Sequence, residues 1–186
     1  MTAADPDAAP AGRGRAGRYA AVDVHYPPEG GALAAAVLAG DARFANVVAE
    51  HVARLTEVAA YRPGHFYARE LPALDAVLAG AGPIDLLIVD GYVDLDPQGS
   101  PGLGAHAHAR FGVPVIGVAK TAFRTATHAV PVRRGAASRP LYVTAAGVGL
   151  TEAAELVRAM TGPYRLPDAL RRVDRLARSG PDHESR

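Results

Sequence analysis

The 186-residue chain has no cysteine and no tryptophan, and lysine occurs once, as Lys120, among 20 basic residues. Without cysteine there is no disulfide framework, no thiolate metal site and no cysteine nucleophile. A net charge of +1 creates no global field, so a polyanionic partner would have to be bound by a local patch. The longest apolar runs, such as residues 32–40, are too short to span a bilayer. Because 49% of the residues are hydrophobic, disorder of the whole chain is excluded.

The length suits one domain, bounded at both ends by stretches without apolar periodicity. Residues 1–18 consist mainly of Ala, Gly, Pro and Arg, which predicts a flexible, weakly basic arm. Residues 178–186 predict a second flexible tail, so we expect the folded domain over residues 19–177. The first residues include arginines but no apolar stretch before a cleavage site, so we predict a cytoplasmic protein without a secretory signal.

Short apolar runs predict six strands. Three lie early, at residues 18–26, 32–40 and 42–58, and a hairpin turn is expected at Gly40-Asp41 between the second and third. Three more strands are predicted at residues 84–89, 113–119 and 141–147.

Helical periodicity separates the later strands. A helix is predicted from Ala68 to the glycines Gly80 and Gly82, a second at residues 104–111, and a third at residues 151–160 with Thr151 as its N-cap. Three early strands followed by alternating helices and strands indicate an α/β fold with a mixed sheet flanked by helices.

Three acidic residues occupy positions where acids are uncommon or point inward. Asp23 lies within a strand, and Asp90 ends a buried strand at the carboxyl edge where α/β sheets bind ligands. Glu70 opens a helix on its apolar face. Carboxylate oxygens are the ligands that Mg²⁺ and Mn²⁺ prefer, and such ions serve phosphoryl hydrolysis. Each residue also has a purely structural alternative. Asp23 could be paired with an arginine, Asp90 could form an Asp-Gly turn, and Glu70 could stabilise the helix dipole.

Two other patterns favour no site. Lys120 does not directly follow the glycine in GVPVIGVAKT, so this segment is not a phosphate-binding P-loop. His106 and His108 are two residues apart and point in different directions on a helix, which disfavours a shared metal.

Ordered motifs extend along most of the predicted domain, namely AAVDVHY, YRPGHFYARE, DGY, GVPVIGVAK, PLYVT and YRLPDALRRVDRLA. In this order the chain resembles the endonuclease V family, deoxyinosine-directed nucleases with a ribonuclease-H-like fold. By position, Asp23, Glu70 and Asp90 match the metal-binding carboxylates of the family. Asp174 falls where members carry an acid or histidine near the metal, and Lys120 matches an active-site lysine.

The resemblance also implies a substrate-binding region. Tyr61 matches the tyrosine of a strand-separating wedge. Gly64, Phe66 and Gly91 fall where the family's backbone lines the pocket for a flipped base.

The chain departs from the family pattern around these residues. Tyr92 and Asp96 replace histidines, and Ala146-Gly147 replaces a Gly-His pair. Ala60 replaces the first proline of the wedge, and Arg62 replaces an apolar residue. We expect these changes to alter the surroundings of the base pocket and to reduce the margin by which inosine is preferred.

The resemblance implies a Mg²⁺- or Mn²⁺-dependent endonuclease that cuts DNA or RNA 3′ to a deaminated purine, as a monomer without membrane contact. The alternatives are a nuclease with relaxed base preference and a non-catalytic nucleic-acid-binding relic. Candidate phosphate contacts are arginines that are otherwise ordinary surface residues: Arg62, Arg69, Arg124, Arg133, Arg134, Arg171 and Arg172.

Overall fold

A computed structural model describes residues 17–60 and 67–179. Within these residues the chain forms seven strands: β1 (Tyr19–His25), β2 (Ala32–Ala39), β3 (Val47–Leu55), β4 (Leu86–Asp90), β5 (Val115–Ala119), β6 (Val130–Val132) and β7 (Leu141–Ala146). Four helices accompany them: α1 (Tyr67–Leu78), α2 (Leu103–Phe111), α3 (Leu150–Ala159) and α4 (Asp168–Ser179). None of the helices in the described ranges has the length and apolar character needed to cross a membrane.

The strands form one mixed sheet in the order β3-β2-β1-β4-β5-β7-β6. Strands β1, β4 and β5 run parallel to one another, and the remaining neighbours are antiparallel. The three parallel strands lie in the centre, where both faces are covered, and their side chains are almost entirely apolar. Their carboxyl ends therefore meet at one edge of the sheet.

Two apolar cores lie on opposite faces of this sheet. Alternate strand residues such as Ala21, Ile88 and Ile116 pack against α3 and α4. The intervening residues, such as Val22 and Val89, pack against α1 and α2. This alternation decides which helix each side chain at the sheet edge will face.

Several predicted boundaries are corrected. The hairpin between β2 and β3 turns through residues 40–46 and not at Gly40-Asp41 alone, because the Asp41 carboxylate accepts backbone hydrogen bonds from Arg43, Ala45 and Asn46. Strand β3 is consequently shorter than the predicted residues 42–58. The N-cap prediction was wrong: Gly149 is the N-cap of α3, and Thr151 lies inside the helix.

Two elements were not predicted, and ordered contacts extend a little past both predicted ends of the domain. Strand β6 and helix α4 were both absent from the sequence interpretation. Arg18, placed in the flexible arm, is held by hydrogen bonds to Ala81 and Asp85. Helix α4 continues through Ser179, two residues into the predicted tail, where Arg178 pairs with Asp174.

Candidate active site

Three functional side chains meet because of strand alternation. Asp23 in β1 and Asp90 at the end of β4 have the same parity as Ala21 and Ile88, whose side chains face α4. Lys120 directly follows β5 and has the same parity as Ile116 and Val118 on that face. The three side chains therefore project from neighbouring parallel strands toward α4, which contributes Asp174.

Lys120 is the central cation of this group. Its Nζ lies 2.6 Å from Asp90 Oδ2 and 3.7 Å from Asp174 Oδ1. Burial lowers the pKa of Lys120, but the hydrogen bond to Asp90 and the charges of Asp90 and Asp174 outweigh this and raise it overall. The ammonium group is therefore fully protonated at neutral pH.

Asp174 is held from two sides. Arg178, one turn further along α4, donates to both of its carboxylate oxygens at 3.1 and 3.2 Å. This hydrogen bonding is the main reason that the pKa of Asp174 lies below its ordinary value. Asp174 is thus a permanent anion beside Lys120.

Glu70 and Asp23 lie where burial and neighbouring negative charges disfavour the ionised form of a carboxylate. Glu70 is only 7% exposed, as its inward position on the first turn of α1 predicts. Burial, followed by the charges of Asp23 and Asp90, raises the pKa of Glu70 to about 8. Burial and the charge of Asp90 likewise raise the pKa of Asp23 to about 6. The group therefore concentrates more negative charge than Lys120 neutralises.

These side chains line an open cavity of about 310 Å³ together with Val24, His25 and Arg178. Within the described ranges, no three acidic or histidine side chains already surround one point closely enough to coordinate a metal ion. The donor chemistry nevertheless fits a hard divalent cation, because buried carboxylates with raised pKa values gain most from an added positive charge. Asp23, Glu70 and Asp90 are the residues that could hold it.

The turn after β4 depends on two glycines. Gly91 has a φ of +137°, a conformation that favours glycine. A Cβ on Gly117 would lie 2.6 Å from the carbonyl oxygen of Gly91 and 2.8 Å from the nitrogen of Val93. Glycine at position 117 therefore allows the chain leaving Asp90 to cross directly over β5.

Part of the predicted substrate-binding region lies outside the described residues, namely Tyr61, Gly64 and Phe66, with Arg62 beside them. Gly91 directly follows Asp90 and lines a second cavity beside it. Two of the sequence changes that we expected to alter the base pocket, Ala146-Gly147 and Asp96, lie away from the acidic cavity. Ala146 pairs with Val115 at the start of β5, so Ala146-Gly147 lies at the edge of the sheet opposite Lys120.

Asp96 is likewise not part of the acidic cavity. It is partly exposed, and its carboxylate accepts backbone hydrogen bonds from Gln98 and Ser100 at 3.0 Å. Hydrogen bonds from Ser100 are the main reason that the pKa of Asp96 is lowered. Its role in this structure is to stabilise the turn that follows β4.

The candidate phosphate contacts separate into different groups. Arg134 is a structural residue, because it is only 6% exposed and donates to the carbonyls of Arg158, Met160, Gly162, Tyr164 and Arg165. Arg172 is paired with Glu50, and Arg171 lies 4.3 Å above the ring of Tyr164. Arg124 and Arg133 are exposed and remain candidates.

Two arginines adjoin the site: Arg69, which is one of the candidate phosphate contacts, and Arg165, which sequence reasoning missed. The Arg69 guanidinium lies 4.2 Å above the ring of Tyr26, directly before Glu70 in the chain. Arg165 donates to the carbonyls of Lys120 and Pro140, which fixes the backbone that carries the lysine. Both residues fall within the family motifs, but no spacing rule connects them to the carboxylates.

A sheet in the order β3-β2-β1-β4-β5, with β2 antiparallel to the other four strands and acidic side chains on β1 and β4, belongs to the ribonuclease-H-like class of α/β proteins. A family model described as Endonuclease V matches residues 9–142 of the chain. The chain is 36% identical over 185 residues to endonuclease V of Streptomyces coelicolor, covering 88% of this chain and 78% of the relative. The chain belongs to the endonuclease V family, a family of nuclease hydrolases, and the resemblance predicted from its motifs is confirmed.

Solved structures confirm the predicted fold class. Endonuclease V from Streptomyces avermitilis matches with a TM-score of 0.73 and 32% identity, covering 87% of this chain and 80% of that one. Ciona intestinalis endonuclease V, solved in complex with a DNA containing an inosine followed by a ribo-adenosine, matches with a TM-score of 0.73. That match has 16% identity and covers 88% of this chain and 85% of the other, which shows the common fold.

Proposed function

We propose that the protein is a metal-dependent endonuclease that hydrolyses a phosphodiester on the 3′ side of a deaminated purine, inosine, in DNA or RNA. The observation that carries this proposal is the meeting of Asp23, Glu70, Asp90 and Lys120 at one sheet edge in a chain of the endonuclease V family. The inosine-containing DNA bound by the Ciona intestinalis relative supports the substrate class.

Asp23, Glu70 and Asp90 would hold Mg²⁺ or Mn²⁺. A divalent cation bound there supplies positive charge for the phosphate oxygens and favours ionisation of water near neutral pH. The raised pKa values of Asp23 and Glu70 support this assignment, since a cation would lower both and displace the proton that Glu70 holds at neutral pH.

Lys120 supplies a second positive charge. Its Nζ keeps its proton because Asp90 accepts from it, and a compact ammonium can approach one phosphate oxygen closely. We assign it to the stabilisation of charge that develops at the phosphate or at the attacking water. Asp174, an anion on the far side of Lys120, orients the ammonium and could support a second cation or the water.

Base recognition is assigned to the segment before α1 and the turn after β4. Tyr61 would act as the wedge that replaces the base in the stack, and Gly64, Phe66 and Gly91 would present backbone groups to the extruded base. Extrusion costs a few kcal/mol, least for a damaged or unpaired base, which itself favours a deaminated purine.

Cleavage of matched DNA and RNA strands that carry inosine or adenine tests this proposal. With Mg²⁺ we expect cleavage 3′ to inosine, slower cleavage of the adenine strand, and none in EDTA. Equal rates on both strands would identify a nuclease with relaxed base preference. Binding without cleavage under all conditions would identify a nucleic-acid-binding relic.

We further propose that residues 19–177 act as one domain, in a monomer located in the cytoplasm. The continuous sheet supports the single domain, and the cysteine-free composition suits a reducing compartment. Light scattering at assay concentrations would test the monomer, and a dimer mass would overturn it.

A further inference from the structure

A second cavity, of about 320 Å³, opens on the other side of Asp90 and is lined mainly by apolar and aromatic side chains. The turn after β4 contributes Tyr92 and Leu95, and the loop after β5 contributes Phe123. Tyr67, the first residue of α1, also lines it. The volume is within the range of small-ligand pockets, and the carboxylate of Asp90 is shared with the acidic cavity.

The hydroxyl of Tyr92 connects the two loops that form this cavity. It donates to the carbonyl of Thr121 at 2.7 Å and accepts from the backbone nitrogen of Phe123 at 3.0 Å. A second connection lies close by, where Thr125 donates to the carbonyl of Leu95 at 2.6 Å. The loop that carries Phe123 is therefore held against the turn after Asp90 by hydrogen bonds at both of its ends.

The aromatic rings of the cavity are fixed but not fully covered. Phe123 is 47% exposed, and its ring centroid lies 6.0 Å from that of Tyr92 at an angle of 45°. Tyr67 is stacked on His106 with a centroid separation of 3.5 Å. A half-exposed phenylalanine on a braced loop, in a cavity bordering a catalytic carboxylate, offers a preformed flat surface to an aromatic ligand.

We propose that Tyr92 is a positioning residue that holds Phe123 as a stacking surface for the extruded nucleobase. The inference rests on the proposed function and adds to it how this chain binds the base. Stacking on an aromatic ring tolerates different bases, because every base has a π-face. The surface formed by Tyr92 and Phe123 therefore adds affinity for any extruded purine and leaves the ratio between inosine and adenine unchanged.

Binding can be observed without cleavage. The chain contains four phenylalanines, so protein labelled with 4-fluorophenylalanine gives few ¹⁹F resonances, and Phe123→Leu identifies that of Phe123. In EDTA, a strand carrying inosine should shift the Phe123 resonance, whereas the same strand with an abasic site should not. An unchanged Phe123 resonance at saturating strand would overturn the inference.

Variants give the second readout. Phe123→Ala should weaken binding of the inosine strand about 10-fold, and Phe123→Tyr should restore it. Tyr92→Phe keeps the ring but removes both hydrogen bonds, so it should lower kcat/KM about 5-fold on the inosine and adenine strands alike and leave their ratio unchanged. Val48→Ala, at a similarly exposed apolar residue on β3, is the control and should have no effect.

The outcomes separate the two proposals. If the wild type cleaves 3′ to inosine while Phe123→Ala retains wild-type binding, the stacking surface is wrong and the proposed function stands. If the wild type cleaves no strand but the Phe123 resonance responds to the base, the proposed function is wrong and the stacking surface stands.

Discussion

The Nζ atom of Lys120 lies 2.6 Å from Oδ2 of Asp90, and this pair joins the ends of β4 and β5. Asp90 is also adjacent to Gly91 and borders both cavities of the site. The one lysine of the chain is thus placed where the carboxylates of the proposed metal site and the proposed base-binding cavity meet.

Lys120→Arg tests whether the shape of this cation matters. The planar guanidinium keeps the charge, but it cannot take the position of a compact ammonium between Asp90 and Asp174. We expect single-turnover cleavage of an inosine strand to slow at least about 10-fold, in line with the loss of one charge-stabilising group. Arg110→Lys, at a surface ion pair with Asp75, is the reverse exchange and should retain the wild-type rate. Full activity of Lys120→Arg would leave Lys120 a structural role only.

Glu70→Gln tests the electrostatic cost of the buried carboxylates. The pKa of Glu70 rises from 4.5 to about 8 on folding, so the folded protein binds more protons than the unfolded chain between these values. The free energy of unfolding should therefore fall as pH rises from 4.5 to 8. Glu70→Gln should remove part of this slope and stabilise the metal-free protein above pH 8 by at least about 1.4 kcal/mol, the equivalent of one pKa unit.

Urea unfolding in EDTA between pH 5 and 9 measures this effect. Glu155→Gln, on the exposed face of α3, is the matched control and should reproduce the wild-type profile. Mg²⁺ at pH 8 should stabilise the wild type more than Glu70→Gln. A pH slope identical in wild type and Glu70→Gln would contradict the burial argument.

The site was largely predictable because its residues violate local rules. Asp23 and Asp90 interrupt apolar strands, and Glu70 interrupts the apolar face of α1. Strand parity alone would also have placed Lys120 on the same face. The metal-ligand roles of these residues stay predictions, since family membership and fold do not establish which residues bind a metal.

Other parts of the structure depend on long-range contacts. Helix α4 carries a readable signal in Leu170, Val173 and Leu176, which recur at helical spacing and are buried. The hydrogen bonds of Tyr92 to a loop 29 residues away leave no such signal. Arg134 shows the same limit, because nothing local distinguishes it from its exposed neighbour Arg133.

This neighbouring pair gives a matched test of structural against binding arginines. Arg134→Ala leaves buried carbonyls without donors and should lower the free energy of unfolding by at least about 3 kcal/mol. Arg133→Ala should leave stability unchanged within about 0.5 kcal/mol. If Arg133 contacts a phosphate, its loss should weaken nucleic-acid binding and reduce the salt slope by about 1. Equal stability of the two variants would contradict the structural role of Arg134.

The most direct measurement of the central claim is single-turnover cleavage of an inosine-containing strand in Mg²⁺ by the wild type, Asp23→Asn and Asp90→Asn. Circular dichroism should show that both variants remain folded, and Asp75→Asn serves as an exposed control. The account predicts cleavage by the wild type and the control, none by Asp23→Asn or Asp90→Asn, and none by any protein in EDTA. Wild-type cleavage in EDTA, or by either folded active-site variant, would contradict it.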